Sequence, residues 1–136
     1  CNSFAKYLIL LLINDLIYLG LEMQTADVIS LDEFKTYINK EDVQIIDVRG
    51  VTEFEAGHVA GADHVFVGTI LENLDKINKD KQVIVHCQAG DRSAIAYSVL
   101  AKKGFNNVKN FSGGMKEWLA TGGETISRKE VSCTNA

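Results

Sequence analysis

Apolar residues in this chain fall into two alternating spacings: short continuous runs, and stripes three or four positions apart. Val43-Gln44-Ile45-Ile46-Asp47-Val48 and Gln82-Val83-Ile84-Val85-His86 have the length and β-branched content of strands. The second is the most continuous apolar run, as expected at the centre of a parallel sheet buried on both faces. Asp27-Val28-Ile29, His64-Val65-Phe66-Val67 and Asn107-Val108-Lys109-Asn110-Phe111 read as further strands.

Helical patterns lie between them. Ser30, with Glu33 three positions on, forms a capping box ahead of Phe34, Tyr37 and Ile38, which share one helical face. Val51 to Ala56 predicts a short helix, stopped by Gly57 as a left-handed cap. Thr69 and Glu72 make a second capping box, opening a helix through Ile77. Ser93 suits the N-cap of a helix that runs through Leu100 and ends at Gly104. Gly113-Gly114 precedes a helix whose Trp118 reads as core. Proline is absent, so glycines and capping residues must punctuate the elements. The alternation predicts an α/β fold, a mainly parallel central sheet flanked by helices on both faces.

The 136 residues, 46% of them hydrophobic and 24% charged, suit one domain with one ordinary core. A net charge of -4 without a basic run excludes a nucleic-acid surface. The three cysteines, Cys1, Cys87 and Cys133, are dispersed and odd in number. That pattern builds neither a disulfide framework nor a zinc site, and no metal or cofactor is called for. Free thiols fit a reducing, cytoplasmic compartment.

Residues 1–24 read as an apolar helix and linker, 25–126 as the domain, and 127–136 as a polar tail. The opening residue is not Met, which reads as a fragment or a processed chain. Tyr7 to Ile13 resembles a signal-peptide core, but no small-residue cleavage site follows it. Asn14 and Asp15 break the run well short of the roughly 20 apolar residues that a bilayer requires. The expectation is therefore a helix packed on the domain or on an upstream partner, rather than a membrane anchor.

Chemistry concentrates in Cys87-Gln88-Ala89-Gly90-Asp91-Arg92-Ser93, between the buried strand and a helix. Ligands of open α/β sheets bind beyond the carboxyl ends of strands. A tight loop there turns backbone N–H groups inward and the following helix adds its positive end, so a Cys at the first loop position is expected to be a reactive thiolate. Gly90 supplies the backbone freedom that such a ring needs. Arg92 adds a fixed cation. The bland alternative, a buried small hydrophobe on an apolar strand, is the default for a lone Cys. The strand-loop-helix context outweighs it.

The loop Cys87-Gln88-Ala89-Gly90-Asp91-Arg92 resembles the active-site loop of rhodanese-like sulfurtransferases. Asp47-Val48-Arg49 with Glu53-Phe54, Gly57-His58-Val59 and Gly61-Ala62 resembles the family's first signature, and Gly113-Gly114-Met115-Lys116-Glu117-Trp118 its second. The resemblance implies that Cys87 accepts sulfur as a persulfide and that residues 88 to 92 offer main-chain N–H groups to it. It implies that Arg92 orients the loop and helps hold an anionic donor, with Ser93 completing the binding loop. Asp47, Arg49, Glu53 and His58 would be structural. The partners implied are a small-molecule donor, thiosulfate or a low-molecular-weight persulfide, and a thiophilic acceptor such as sulfite, cyanide or a thiol. Asp91 makes this loop less positive than others, which favours a thiol persulfide as donor.

The stretch from His64 to Thr69 and the run Cys87 to Ala96 are similar to the C-terminal rhodanese domain of fusions with metallo-β-lactamase-fold persulfide dioxygenases. That likeness implies an upstream iron domain in a parent chain. Two other readings stay open. A Cys-dependent phosphatase shares the general fold and a Cys…Arg loop, although the four residues between Cys87 and Arg92 are one fewer than a phosphatase loop holds. A non-catalytic binding module of the same fold would need neither Cys87 nor Arg92.

Overall fold

The computed structural model describes residues 27–127. The apolar N-terminal helix and its boundary near residue 24, the polar tail from residue 128 on, and Cys1 and Cys133 lie outside the described residues. The element order is α1 (Leu31–Tyr37), β1 (Val43–Asp47), α2 (Val51–Ala56), β2 (Asp63–His64), two 3₁₀ turns (Val67–Glu72 and Leu74–Lys76), β3 (Gln82–His86), α3 (Asp91–Lys102), β4 (Val108–Phe111) and α4 (Gly114–Ala120).

All strand pairs are parallel, in the order β2-β1-β3-β4. The expected first strand shrinks to one bridge, Val28 against Asn110 at the outer side of β4. Alternate strand residues feed two cores, one on each face. Ile46, Val48, Val83, Val85 and Cys87 pack with Ala96, Tyr97 and Leu100 of α3 and with the 3₁₀ turns. Ile45 and Ile84 pack on the other face with Leu31 and Phe34 of α1, Phe111, and Met115 and Trp118 of α4. Burying each such aliphatic side chain contributes about 1.5–3 kcal/mol. Double-sided burial is why β1 and β3 read as near-continuous apolar runs.

Several local expectations give way. Ser30 does cap α1, its Oγ accepting from Glu33 N–H at 3.1 Å. Gly57 ends α2 with φ 171°, extended rather than left-handed. The strand expected at His64–Val67 is paired only at Asp63 and His64. Beyond them Val65 and Val67 still donate N–H groups to the carbonyls of Asp47 and Val48, both at 3.1 Å. Thr69 opens no α-helix, because its φ of -124° kinks the segment into 3₁₀ turns. Val67 and Ile70, three apart, reach the core from such a turn, while Leu71 is left exposed. Ser93 is not the N-cap of α3. Gly90, at φ 102°, takes that place and the helix begins at Asp91.

Candidate active site

Cys87 directly follows β3, so its sulfur lies at the carboxyl edge of the sheet, the expected location for a site in this topology. Gly90 N–H points back and donates to Cys87 Sγ at 3.1 Å. That geometry requires the left-handed φ at Gly90, where a Cβ would also sit 2.7 Å from the Ser112 carbonyl oxygen. Ser93 Oγ lies 3.5 Å from Sγ and donates to Gly90 O at 3.2 Å, which closes the turn from inside the helix. The Cys87 thiol also reaches Asp91 Oδ1 at 3.6 Å. Cys87 has no exposed surface, whereas Asp91 and Ala89 are exposed.

A second glycine holds the base of the loop. Gly114, at φ 59°, begins α4 so close to the loop that a Cβ would lie 2.4 Å from Cys87 O. From that approach Met115 N–H donates to Cys87 O at 2.9 Å and Lys116 N–H to Gln88 O at 3.0 Å. The Gly113-Gly114 motif thus serves the active loop through its backbone, a role that side-chain patterning does not disclose.

The charged residues form two pairs. Arg92 meets Glu53 in a two-pronged contact, Nη1 to Oε1 at 2.6 Å and Nη2 to Oε2 at 3.1 Å. The hydrogen bonds from Arg92 hold the Glu53 carboxyl below its usual range against a smaller cost of burial, and Glu53 in turn raises Arg92. Arg92 therefore ties the loop to α2, and its cation is already engaged by a carboxylate. Arg49 grips Asp47 through Nε and Nη2 at 2.8 to 3.1 Å, and its Nη2 also donates to Gly57 O at 2.8 Å. Burial alone would raise the Asp47 carboxyl; the Arg49 hydrogen bonds and the nearby His86 together bring it below the usual value. The pair ties the end of β1 to the residue that ends α2.

His58 stacks on Phe54 with ring centroids 3.7 Å apart, and its Nδ1 lies 2.6 Å from Phe54 O. Through both contacts it packs against α2. His86 points to the face opposite Cys87, among Phe34 and Phe111. Burial pushes its imidazole down despite the neighbouring Asp47 charge, and its Nε2 has no hydrogen-bond partner. Of the loop residues singled out in the sequence, Gly90, Asp91 and Ser93 lie against Cys87 Sγ, while Arg92 turns to Glu53. Gly90 N–H is aimed at the sulfur, while the N–H groups of Arg92 and Asp91 serve the Asp91 carboxylate. They pull it below its usual range, Arg92 N–H most strongly, against a smaller cost of burial.

Among the described residues no group of three or more His, Cys, Asp or Glu side chains is placed to hold a metal ion, and no helix is long and apolar enough to cross a membrane. An open polar cleft of about 690 Å³, lined by Gln44, Asp63, Lys76 and Lys81 among others, lies at the opposite, amino end of β1 and β3.

A parallel sheet ending in a cysteine loop of this geometry defines a class, and the comparisons agree. The chain belongs to the rhodanese-like domain family, whose profile matches residues 30–121. YrkF of Bacillus subtilis is 33% identical over 91 residues, which are 66% of this chain and 49% of YrkF; this chain thus spans about half of that relative. The thiosulfate sulfurtransferase GlpE of Pseudoalteromonas translucida is 31% identical over 100 residues, 74% of this chain and 95% of GlpE. Among solved structures, a rhodanese-like domain protein from Staphylococcus aureus is 33% identical with a TM-score of 0.62, covering 68% of this chain and 90% of that one.

Proposed function

We propose that this domain is a sulfurtransferase that moves a sulfane sulfur from a small-molecule donor to a thiophilic acceptor through a Cys87 persulfide. The observation that carries the reading is the Cys87 sulfur at the end of β3 with the Gly90 N–H aimed at it from 3.1 Å. In the first half-reaction the Cys87 thiolate attacks the outer sulfur of the donor. The donor's S–S bond breaks, and its electron pair leaves on sulfite when thiosulfate is the donor, or on a thiolate when the donor is a persulfide. In the second, sulfite, cyanide or a thiolate attacks the outer sulfur of the Cys87 persulfide, and the Cys87 thiolate departs. No net oxidation occurs and no cofactor is required. An amide already in place costs no reorganisation during reaction, and losing one such donor costs about 3 kcal/mol of transition-state stabilisation in comparable sites.

The likeness to persulfide dioxygenase fusions supports a parent chain with an upstream metallo-β-lactamase-fold domain, and the free Cys87 thiol supports a cytoplasmic setting. The net charge of -4 supports small molecules rather than nucleic acid as partners. A donor panel read by intact mass tests the activity. Incubation with thiosulfate or glutathione persulfide is expected to add one sulfur to the wild type and none to Cys87→Ser. A wild-type chain that takes up no sulfur from either donor would instead make this a binding module.

A further inference from the structure

We infer that the Asp91 carboxylate is a charge gate over Cys87, one that discriminates against dianionic thiosulfate in favour of thiol persulfides, a conclusion that rests on the sulfurtransferase reading above. Three groups surround the sulfur: the Gly90 N–H at 3.1 Å, Ser93 Oγ at 3.5 Å and Asp91 Oδ1 at 3.6 Å. Ser93 is buried and Gly90 half-buried, so Asp91 alone of the three is exposed to solvent. Cys87 itself has no accessible surface. On its other side the sulfur belongs to the apolar core, so a donor that approaches from solvent comes close to the Asp91 carboxylate.

The cation that could offset this charge is committed elsewhere. Arg92, at the end of the loop, is closed onto Glu53 through two contacts at 2.6 and 3.1 Å. The leading N–H groups of α3, which would otherwise attract an incoming anion, already stabilise Asp91 as a carboxylate. An arriving thiosulfate thus meets two negative groups, the thiolate and Asp91, without a free positive one in the loop.

The two donors differ in the charge they bring to this point. Thiosulfate carries two negative charges in the reacting group itself. Its transfer turns the Cys87 thiolate and S–SO₃²⁻ into the deprotonated persulfide and sulfite, so three negative charges crowd the transition state. A protonated thiol persulfide, R–S–SH, carries none at its reacting end. Its transfer turns the thiolate and R–S–SH into protonated Cys87 persulfide and R–S⁻, with a single negative charge throughout. A fixed carboxylate beside the sulfur raises the barrier for the first far more than for the second.

The test compares initial rates of Cys87 persulfide formation, by rapid quench and intact mass, with thiosulfate and with glutathione persulfide. Asp91→Asn keeps the shape of the side chain and removes its charge; Asp91→Ala removes it altogether. Both variants are expected to raise the thiosulfate-to-persulfide rate ratio by about tenfold or more, as befits the loss of one charge a few ångströms from the reacting atoms. In the wild type, added KCl is expected to raise the thiosulfate rate by screening the repulsion, and this salt effect should shrink in both variants. A wild type loaded by the persulfide, with a ratio unchanged or lowered in both variants, overturns the gate and leaves the sulfurtransferase reading standing. A wild type loaded by neither donor overturns both.

Discussion

Gly114 offers a direct way to ask whether α4 builds the active loop or merely packs beneath it. Replacing it by Ala places a Cβ 2.4 Å from Cys87 O and 2.7 Å from Gln88 O, both backbone atoms that cannot rotate aside. The left-handed φ of 59° adds about 1–2 kcal/mol of backbone strain for any residue with a Cβ. Overpacking against a backbone costs about 1–3 kcal/mol more, so the total for Gly114→Ala is about 2–5 kcal/mol. Gly122→Ala is the control: φ is similarly positive at 81°, but nothing lies within 4 Å of its Cβ, so only the strain remains. The two variants should therefore differ by the steric part alone. Urea unfolding followed by the fluorescence of Trp118, the only Trp in the chain and buried in the core, provides the assay. Relief of the clash must lengthen the bonds from Met115 N–H to Cys87 O and from Lys116 N–H to Gln88 O, which are 2.9 and 3.0 Å in the native fold. Sulfur uptake by folded Gly114→Ala should accordingly slow by about tenfold or more, while Gly122→Ala keeps the wild-type rate. Equal unfolding energies for the two variants, or unchanged uptake in Gly114→Ala, would refute the argument that this close approach holds the loop.

Stability should fall in mild acid because of His86. Its folded-state imidazole is pushed below the usual 6.5 by burial, so the unfolded chain takes up a proton first. The contribution is fully present above pH 6.5 and is lost as pH drops through it. His86→Phe is expected to flatten the unfolding free energy between about pH 7 and 5; an unchanged slope would show that His86 is not responsible. Glu53→Gln should cost less than about 1 kcal/mol, since the pair is part-exposed, with side-chain accessibilities of 25% for Arg92 and 38% for Glu53. The same variant should slow sulfur uptake by more than its stability change explains, because Arg92 loses its anchor on α2; equal rates would show that the pair is not needed for loop position. Phe34→Ala removes a fully buried ring stacked 4.2 Å from Phe111 and is expected to cost about 3–5 kcal/mol in urea unfolding. Wild-type protein should not turn over an aryl phosphate, given four rather than more residues between Cys87 and Arg92; turnover lost in Cys87→Ser would restore the phosphatase alternative.

Much of the molecule follows from spacing alone. The runs at Val43–Asp47 and Gln82–His86 could be read as buried strands, since a sheet packed on both faces demands apolar residues without alternation. Ser30, three positions before Glu33, placed the start of α1, because capping is a local hydrogen bond. The position of Cys87 between β3 and α3 likewise located the candidate site. Capping logic failed at Thr69 and Ser93, for a shared reason. Thr69 lies inside a stretch whose geometry is decided by burying Val67 and Ile70, and Ser93 yields the cap position because Gly90 turns its N–H onto the sulfur. Both outcomes depend on contacts between residues that local propensity does not weigh.

Local pattern thus settled the α/β class, the two central strands and the place of the cysteine loop. Long-range packing set the neighbours of that loop: Arg92 is spent on Glu53, Asp91 faces the sulfur, and α4 grips the loop through the Met115 and Lys116 N–H groups. The physical reason is range. Periodicity and capping act within a few residues, whereas Glu53 and Arg92 stand 39 residues apart and meet only once the parallel sheet has brought the ends of β1 and β3 side by side.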